Sequence, residues 1–348
     1  MNLRPIGDKV ERGERLTRED GLALFASADL LSIGRLADLA NRRKNGDRVY
    51  FAANQHINPT NVCILRNTCV FCSFARMPKE DGAYTRSLEE VFAEADAARD
   101  NPTREFHIVG GLHPKLRLAY YTDMFRGLKA RHPEVMIKAL TAVEVAHLAK
   151  LEKLSIRDVL LAMKADDALR ALQDETGGFL TYIPLAYHPD HNELGETLGR
   201  TGTATTGFDD LKNIAVGRLL LDNIPHVKTH WPMVTPFISQ VALTFGCDDL
   251  EGTVVFERVY HEAGAPTPMW LSYDEIVTLI RGAGKEPVER DSLYQTVRTF
   301  EGYVPKPQPA PVRPEGPAPQ GALFQIEHRA RAAAKRKQPV ATVVDGAE

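Results

Sequence analysis

Three of the four cysteines lie close together in the sequence, and their spacing could hold an iron–sulfur cluster. Cys63, Cys69 and Cys72 form a C-x5-C-x2-C pattern. Three thiolates can bind three irons of a four-iron cluster and leave the fourth iron open to another ligand. A structural zinc site needs four protein ligands, so His56 or Cys247 would have to complete it. Unligated thiols are the third interpretation that the pattern allows.

The segments that must position these cysteines alternate between strand-like and helix-like patterns. From about residue 49 to 302 the chain predicts βαβ units around a parallel sheet, arranged as a doubly wound sheet or a (β/α) barrel. A strand-like segment, Arg48 to Ala53, comes before the cysteine loop. Because loops that follow parallel strands gather on one face of such folds, we expect the cysteines at the active face.

The cysteine loop resembles that of the radical S-adenosylmethionine (SAM) superfamily, in which C-x3-C-x2-C is usual and an aromatic residue precedes the last cysteine. Phe71 matches the aromatic position, and the first spacing is two residues longer. The resemblance implies a [4Fe-4S] cluster with one open iron, held by Cys63, Cys69 and Cys72, and SAM as a co-substrate that chelates this iron. It also implies a reducing electron donor as a partner, because an electron from the reduced cluster cleaves SAM.

Seven further segments extend the resemblance to the aminodeoxyfutalosine synthase family. They follow in order along about residues 10–300 and are more specific than the cysteines alone. In that family the adenosyl radical from SAM adds to 3-[(1-carboxyvinyl)oxy]benzoate and yields aminodeoxyfutalosine, a step of the futalosine route to menaquinone. The segments are His56–Cys63, Gly82–Thr85, His107–Pro114, Lys138–Glu144, Gln173–Phe179, Ile183–Pro189 and Thr201–Gly207.

Three other interpretations stay open. A related radical SAM enzyme of the same pathway, cyclic dehypoxanthine futalosine synthase, would share the cluster but would abstract hydrogen from its substrate. A non-catalytic remnant would bind a cluster or a metal only, and a zinc-binding module would hold zinc in place of iron. The products formed from SAM and the metal content of the protein separate these interpretations.

Phe71, Gly110, Gly111 and Glu144 are the residues for which we expect contact with the cofactor. In the superfamily the position of Gly110-Gly111 offers backbone atoms to the SAM amino group, and glycine lets a ligand approach the backbone closely. An ordinary turn after the strand is the alternative. Glu144 could hydrogen-bond the ribose, or it could stabilise the start of a helix as an acid in the first turn.

The implied substrate is a small molecule with two carboxylates, which require cationic or hydrogen-bonding partners. Lys138, Thr141, His188 and His230 lie near predicted strand ends and are the candidate substrate-binding residues. Lys228 is a further candidate of the same kind. The alternative for each of them is a structural or surface role.

Eight βα units are expected for a barrel of this family, yet this sequence contains six convincing strands. Between Ser155 and Gln173 there is a single helical run, which indicates an internal deletion with its junction near Ala165 and Asp166. Two βα units of roughly 30 residues each would account for the difference. Loss of internal strands exposes sheet edges, so we expect a partial (β/α) barrel with N-terminal helices. The six strands lie near Phe51, His107, Lys138, Ile183, Thr229 and Val255, and the last two are expected over His226–Val234 and Thr253–Glu257. Apolar spacing predicts helices at Leu30–Asn45 and Tyr273–Gly282.

Composition and charge describe the rest of the chain. The 348 residues have a net charge of −3 and a hydrophobic fraction of 43%, which suits a globular protein without a nucleic-acid partner. No apolar run is long enough for a membrane span, and the N-terminus lacks an apolar signal, so we expect a cytoplasmic enzyme without a membrane partner. We expect helices over 1–48, the barrel over 49–302, and a disordered tail over 303–348 that is rich in proline and then basic.

Overall fold

The computed structural model describes residues 3–70, 72–97, 103–153, 179–198 and 204–306. Phe71, the predicted junction at 165–166 and most of the predicted tail lie outside these ranges. Within them, no helix has both the length and the apolar character that a membrane span requires.

Three helices precede the first strand: α1 (Arg4–Arg12), α2 (Arg18–Ala26) and α3 (Leu30–Asn45). The side chain of Thr17 caps α2 and that of Asp29 caps α3, each by accepting a hydrogen bond from a backbone N–H of its helix. Such caps satisfy N–H groups that the first turn of a helix leaves unpaired. All three helices bury apolar side chains in the larger hydrophobic core of the protein.

Short strands carry the sheets of this fold. Within the described residues they pair in parallel, except for the last one, which pairs antiparallel with its predecessor. The strands are β1 (Arg48–Phe51), β2 (Asn54–Ile57), β3 (Glu105–Ile108), β4 (Met136–Ala139), β5 (Thr181–Tyr182), β6 (His226–Thr229), β7 (Asp249–Leu250), β8 (Glu286–Arg290) and β9 (Thr296–Thr299).

Two sheets meet at the first strand of the barrel. β1 belongs to a six-stranded sheet with the order β5-β6-β7-β1-β8-β9, and β2 belongs to a three-stranded sheet with the order β2-β3-β4. Ala52 and Ala53 alone separate β1 from β2. A parallel bridge between Gln55 and Val255 joins β2 to the stretch that follows β7. The parallel strands therefore form an arc that runs from β4 through β2 and β7 to β5.

Among the described strands, the two ends of this arc are β4 and β5. They are also the described strands on either side of residues 154–178, the range that contains the predicted deletion junction. Internal loss of βα units would leave strand edges at such a position.

Helices cover the outer faces of both sheets. In the smaller sheet, α4 (Leu88–Ala97), α5 (Leu118–Arg131) and α6 (Ala142–Glu152) bury apolar side chains against β2 and β3. The opposite face of these strands is polar and forms the lumen of the partial barrel. The remaining helices are α7 (Glu193–Leu198), α8 (Gly207–Leu220), α9 (Trp231–Val234), α10 (Pro236–Ala242), α11 (Val259–Glu262) and α12 (Tyr273–Gly282).

The structure corrects the prediction of the strand that precedes the cysteine loop. The predicted strand from Arg48 to Ala53 ends at Phe51, and a separate strand, β2, leads into the loop. Asn54 and His56 of β2 are polar although every residue of β2 is buried. A strand with a polar lumen face lacks the continuous apolar run that is typical of buried parallel strands, so the sequence pattern did not predict β2.

The structure also shortens two predicted strands near the active face. The strand expected at Thr253–Glu257 is reduced to the bridge at Val255, since Val254 and Phe256 have positive φ angles of 52° and 67°, which regular strands do not accommodate. The strand expected from His226 ends at Thr229, and the short helix α9 follows. The hairpin of β8 and β9 had no counterpart among the predicted strands.

Candidate active site

The cysteine loop is folded as a compact turn at the carboxyl end of β2. The backbone N–H of Cys63 donates to Arg76 O (2.9 Å), and the N–H of Cys72 donates to Cys69 O (3.1 Å). Cys63 is buried, whereas Cys69 and Cys72 are partly exposed. Backbone hydrogen bonds thus hold the three cysteines in one loop, with two of their thiols accessible from outside.

The electrostatics of the loop show that its thiols are neighbours. Burial raises the pKa of the Cys69 thiol, and the nearby Cys72 and Cys63 raise it further. In the part of the chain that the structure describes, no three His, Cys, Asp or Glu side chains converge closely enough to hold a single metal ion. A four-iron cluster does not require such convergence, because each of its thiolate ligands binds a different iron.

The two residues that could complete a zinc site do not converge with the cysteines in the described part of the chain. His56 lies on the lumen face of β2 with its ring 4.7 Å from that of His107. Cys247 is fully buried, and its thiol donates to Val227 O (3.1 Å) or Asp249 O (3.2 Å). The donor set of the loop therefore fits a cluster with three cysteine ligands and one open iron better than a closed zinc site.

Gly110 and Gly111 let the loop after β3 touch the cysteine loop. A Cβ atom on Gly111 would lie 2.3 Å from Val62 O, and one on Gly110 would lie 2.9 Å from Thr60 O. The N–H of Gly111 donates to Thr60 O at 2.8 Å. A side chain at either position would push the two loops apart, so close packing of backbone on backbone requires glycine here.

Glu144 ties this glycine turn to the start of α6. One carboxylate oxygen accepts the N–H of Gly110 (2.9 Å), and the other accepts the N–H (2.7 Å) and the hydroxyl (2.8 Å) of Thr141. Thr141 in turn caps α6, so the two residues form a capping box. Burial raises the pKa of Glu144, and the bonds from Thr141 and Gly110 counteract that rise. The geometry thus favours the first-turn role for Glu144 and a capping role for Thr141.

A row of polar side chains crosses the lumen where β2, β3 and β4 pair. His56, His107 and Lys138 are direct neighbours in register. Burial lowers the pKa of His56 to about 4 and lowers that of His107 well below its usual value. Both rings are therefore uncharged at neutral pH, and His56 Nε2 and His107 Nδ1 are buried without a hydrogen-bond partner.

The two candidate lysines differ in whether their charge is paired. Lys228 is buried, with its ammonium group 3.4 Å from Glu251 Oε2 and 3.9 Å from Asp249 Oδ1. Lys138 is exposed on β4 and has no carboxylate within ion-pair distance among the described residues, although it lowers the pKa of the buried Glu105 from a longer distance. An unpaired ammonium group can receive a carboxylate without first giving up a partner. The geometry therefore favours Lys138 over Lys228 as a binding residue.

His188 and His230 lie on either side of Tyr260 at the other side of the lumen. Their ring centroids are 6.5 Å and 5.0 Å from that of Tyr260. His230 Nδ1 also lies 3.1 Å from Glu251 Oε2. Sequence reasoning missed both Tyr260 and Glu251. A signal for Glu251 was present, because the short acidic run from Asp248 interrupts an otherwise apolar strand pattern.

The structure thus brings some of the predicted site residues together and separates others. Lys138, His188 and His230 surround the lumen, and Gly110 and Gly111 lie against the cysteine loop. Thr141 and Glu144 are used at the start of α6, and Phe71 lies outside the described residues. The arrangement combines a three-cysteine loop with a polar cavity in which His56, His107 and His230 have open hydrogen-bonding positions.

Two families match consecutive parts of the chain. Residues 57–178 match the Radical SAM superfamily. Residues 176–302 match a family described as the CofH/MqnC C-terminal region. The first match contains the cysteine loop and β3 and β4, and the second contains the strands from β5 onward.

Relatives of known activity extend over nearly the same range. Aminodeoxyfutalosine synthase of Thermus thermophilus is 38% identical, over 86% of this chain and 97% of that protein. The chain belongs to the aminodeoxyfutalosine synthase family. The Streptomyces coelicolor member is 37% identical over 91% of this chain and 98% of its own length. The chain is therefore a radical SAM enzyme, and the cofactors of this superfamily are a [4Fe-4S] cluster and SAM.

The alignment with the Thermus synthase also measures how much shorter this barrel is. It spans 363 residues, but 86% of this 348-residue chain is only about 300 residues. About 60 aligned positions of the synthase therefore have no counterpart here, which is roughly the size of two βα units. This agrees with the internal deletion inferred from the strand count.

More distant relatives within the superfamily are less similar, and solved structures share the fold. Cyclic dehypoxanthine futalosine synthase of Streptomyces coelicolor is 27% identical over 84% of this chain and 88% of its own length. The FeFe-hydrogenase maturase HydG from Carboxydothermus hydrogenoformans is 17% identical, with a TM-score of 0.60 over 84% of this chain and 80% of that chain. Methylornithine synthase (PylB) is 16% identical, with a TM-score of 0.51 over 81% of this chain and 96% of that chain. Both structures support the radical SAM fold.

Proposed function

We propose that this protein is an aminodeoxyfutalosine synthase that joins the adenosyl group of SAM to 3-[(1-carboxyvinyl)oxy]benzoate in menaquinone biosynthesis. The observation that carries the proposal is the similarity to the Thermus synthase, at 38% identity over 97% of that protein. The identity to a cyclic dehypoxanthine futalosine synthase is lower, at 27%. When bound, the cluster and SAM supply the 5′-deoxyadenosyl radical, and the protein supplies binding and orientation.

Cys63, Cys69 and Cys72 would hold the cluster at the mouth of the lumen. Gly110 and Gly111 would line the SAM side of the loop. Their N–H groups already donate within the protein, to Glu144 and Thr60. An ammonium group such as that of SAM needs acceptors, which the carbonyl oxygens of this turn can provide. We infer that Glu144 acts through Gly110, by holding this turn in place. Phe71 remains a proposed cofactor contact on the strength of its sequence position.

The lumen would bind the substrate by its carboxylates. Lys138 would receive one of them, because its ammonium group has no carboxylate within ion-pair distance among the described residues and it pairs in register with His107, whose Nδ1 is open. A charge-assisted hydrogen bond is roughly twice as strong as a neutral one. His188 and His230 would line the opposite side, and the low pKa values of His56 and His107 keep these two rings uncharged beside Lys138.

The test is reconstitution under anaerobic conditions with iron and sulfide, followed by SAM, dithionite and the enol-ether substrate. Dithionite takes the place of the reducing partner that we expect in the cell. Mass analysis should find aminodeoxyfutalosine. The proposal is wrong if SAM is cleaved only to free 5′-deoxyadenosine and the benzoate is unchanged.

Parallel assays separate the other interpretations. Conversion of dehypoxanthine futalosine would identify the cyclase instead of the synthase. An iron–sulfur absorbance without any cleavage of SAM would indicate a non-catalytic remnant. Zinc without iron or sulfide in anaerobically purified protein would indicate a zinc-binding module.

A further inference from the structure

Glu251 is a buried carboxylate at the carboxyl end of β7, and three groups hold it in place. Its Oε1 accepts from Asn54 Nδ2 at 2.6 Å, and its Oε2 lies 3.1 Å from His230 Nδ1 and 3.4 Å from the ammonium group of Lys228. Burial alone would raise the pKa of Glu251, but Lys228 and His230 outweigh that effect and keep the pKa well below its usual value. The group is therefore a fixed anion at neutral pH.

A fixed anion determines the hydrogen on the neighbouring ring. An ionised carboxylate can only accept hydrogen bonds, so Nδ1 of His230 must carry the hydrogen that lies between the two groups. Nε2, on the far side of the ring, is left to interact with something else. His230 is 5% exposed, and its Nε2 is buried without any hydrogen-bond partner in the described structure.

This open nitrogen distinguishes His230 from the other histidines that pair with carboxylates. Within the described residues, none of the other three pairs leaves its second ring nitrogen buried and unpartnered. In His261, for example, Nε2 lies 3.0 Å from Thr267 O. An unsatisfied buried polar atom costs roughly 1–3 kcal/mol, which a ligand can recover by bonding to it. The other pairs are His132 with Asp96, His226 with Asp248 and His261 with Glu257.

His230 lines a cleft between the ends of β5 and β6 and the start of α8. Tyr260 contacts the ring edge-on at 5.0 Å and restricts its rotation. The apolar walls of the cleft include Leu185, Ala186 and Val234. Polar residues also line the cleft, namely Thr205, Asp210, Asn213 and Thr229, so it combines apolar surface with polar groups, as ligand-binding clefts do.

We propose that His230 contacts a carboxylate of the substrate through Nε2–H, and that Glu251 is the positioning residue that orients the ring and offsets its charge. A carboxylate accepts hydrogen bonds only, so Nε2 must carry a hydrogen in the complex, and the ring is then an imidazolium beside the Glu251 anion. The identity of this ligand rests on the proposed function. The roles of the two residues rest on their own geometry.

The test measures substrate binding to the reconstituted holoenzyme by calorimetry, with SAM present and reductant absent. Glu251→Gln and His230→Leu should each weaken binding of the benzoate substrate about tenfold or more. His230→Gln keeps an N–H donor near the Nε2 position and should recover part of that loss. As a control, Asp96→Asn removes the carboxylate of another histidine–carboxylate pair, His132 with Asp96, and should leave substrate binding unchanged. Cluster absorbance and SAM binding should be the same in all four variants.

A second measurement separates positioning from a merely structural role. In holoenzyme labelled with ¹⁵N-histidine, the resonance that His230→Leu removes should show hydrogen on Nδ1, and Glu251→Gln should shift it. If Glu251→Gln does not fold, Glu251→Asp keeps the anion one methylene shorter and should weaken binding to an intermediate degree.

The outcomes distinguish this inference from the proposed function. If the unchanged enzyme neither binds nor converts the benzoate, the proposed function fails. If it binds the benzoate and the Glu251 and His230 variants bind it equally well, the assignment of this pair is overturned.

Discussion

The base and the upper lumen of the partial barrel are both rich in polar side chains. The two regions differ in how far these side chains find ionic and hydrogen-bonding partners within the protein. The base comprises Arg218, His226, Asp248, Asp249 and Arg290. Here the Asp248 carboxylate accepts from Arg218 and from His226, and the Asp249 carboxylate lies 2.6 Å from Arg290. Every charged side chain of the base has a partner of opposite sign or a hydrogen-bonding partner within the protein.

The upper lumen comprises His56, His107, Lys138 and His230. Its three histidines each have a buried ring nitrogen without a partner, and Lys138 has no ion pair among the described residues. Leaving such groups unpaired destabilises the protein. We infer that polar residues at the base stabilise the fold, whereas those of the upper lumen are available to a ligand.

The hairpin of β8 and β9 reinforces this difference at the base. Tyr294, in the turn between the two strands, stacks on His226 with ring centroids 3.6 Å apart and planes 2° from parallel. The guanidinium of Arg290 lies 4.1 Å from the centre of the same ring. The base is thus closed by stacked rings and paired charges, although Asp249 Oδ1 and the Tyr294 hydroxyl are also buried without a hydrogen-bond partner.

The largest effect on activity is expected from substitutions in the cysteine loop, at the mouth of the lumen. Cys69→Ala removes one of three cluster ligands and should abolish both the four-iron absorbance and all product formation. Cys247→Ala is the matched control, since Cys247 is buried away from the loop beside β6 and β7. Persistence of a full four-iron signal in Cys69→Ala would show that the ligand assignment is wrong.

At the base, the expected effect is on stability. Asp248→Asn leaves Arg218 as a buried charge without its anion and should lower the free energy of unfolding by roughly 3–5 kcal/mol. Urea denaturation of the two proteins measures this difference. A loss below about 1 kcal/mol would mean that the base does not differ energetically from an ordinary surface ion pair.

In the upper lumen, the expected effect is on binding. Lys138→Met should raise KM for the benzoate substrate by about 10- to 100-fold, because a charge-assisted hydrogen bond is lost. Its stability should change little, since Lys138 is exposed and has no ion pair to lose. Lys150→Met on the exposed side of α6 is the control. A large loss of stability with unchanged KM would place Lys138 with the base residues.

The smallest expected effect is a pH dependence of stability that comes from the buried His56. Burial lowers the pKa of His56 from 6.5 to about 4, so between these values the unfolded chain binds a proton that the folded chain does not. Stability should therefore be complete above pH 6.5 and fall as the pH drops, by up to about 1.4 kcal/mol per unit for this group. Urea denaturation at pH 7 and pH 5 should show a weaker dependence in His56→Gln. An equal dependence in both proteins would exclude His56 as its source.

Helix positions were the part of the fold that local sequence predicts well. The helices at Leu30–Asn45 and Tyr273–Gly282 have the bounds expected from their apolar spacing. Ser272 caps α12 with Glu275 in a capping box, and Gly46 follows α3 with a positive φ of 64°. Such signals act within one turn of the helix, so they can be read without knowing the rest of the fold.

Strands were harder to predict because their two faces have different surroundings. β2 carries polar side chains into the lumen and apolar Ile57 toward the helices, so its pattern is not that of an apolar core strand. β5 and β7 are each two residues long. Strand pairing depends on residues distant in sequence, which a local pattern does not contain.

The sequence by itself determined the cysteine loop, most helix bounds, the shortened set of βα units and the family. Only the tertiary structure decided which polar residues are available to a ligand. Lys138 and Lys228 look alike in sequence, but Glu251 and Asp249 lie within ion-pair distance of Lys228 alone. Glu144 lies at a predicted helix start. The hydrogen bond that it accepts from Gly110 N–H forms only because the fold brings the loop after β3 beside this helix. The physical reason is that pairing and burial of a charge are set by neighbours that the fold brings together, and these lie far apart along the chain.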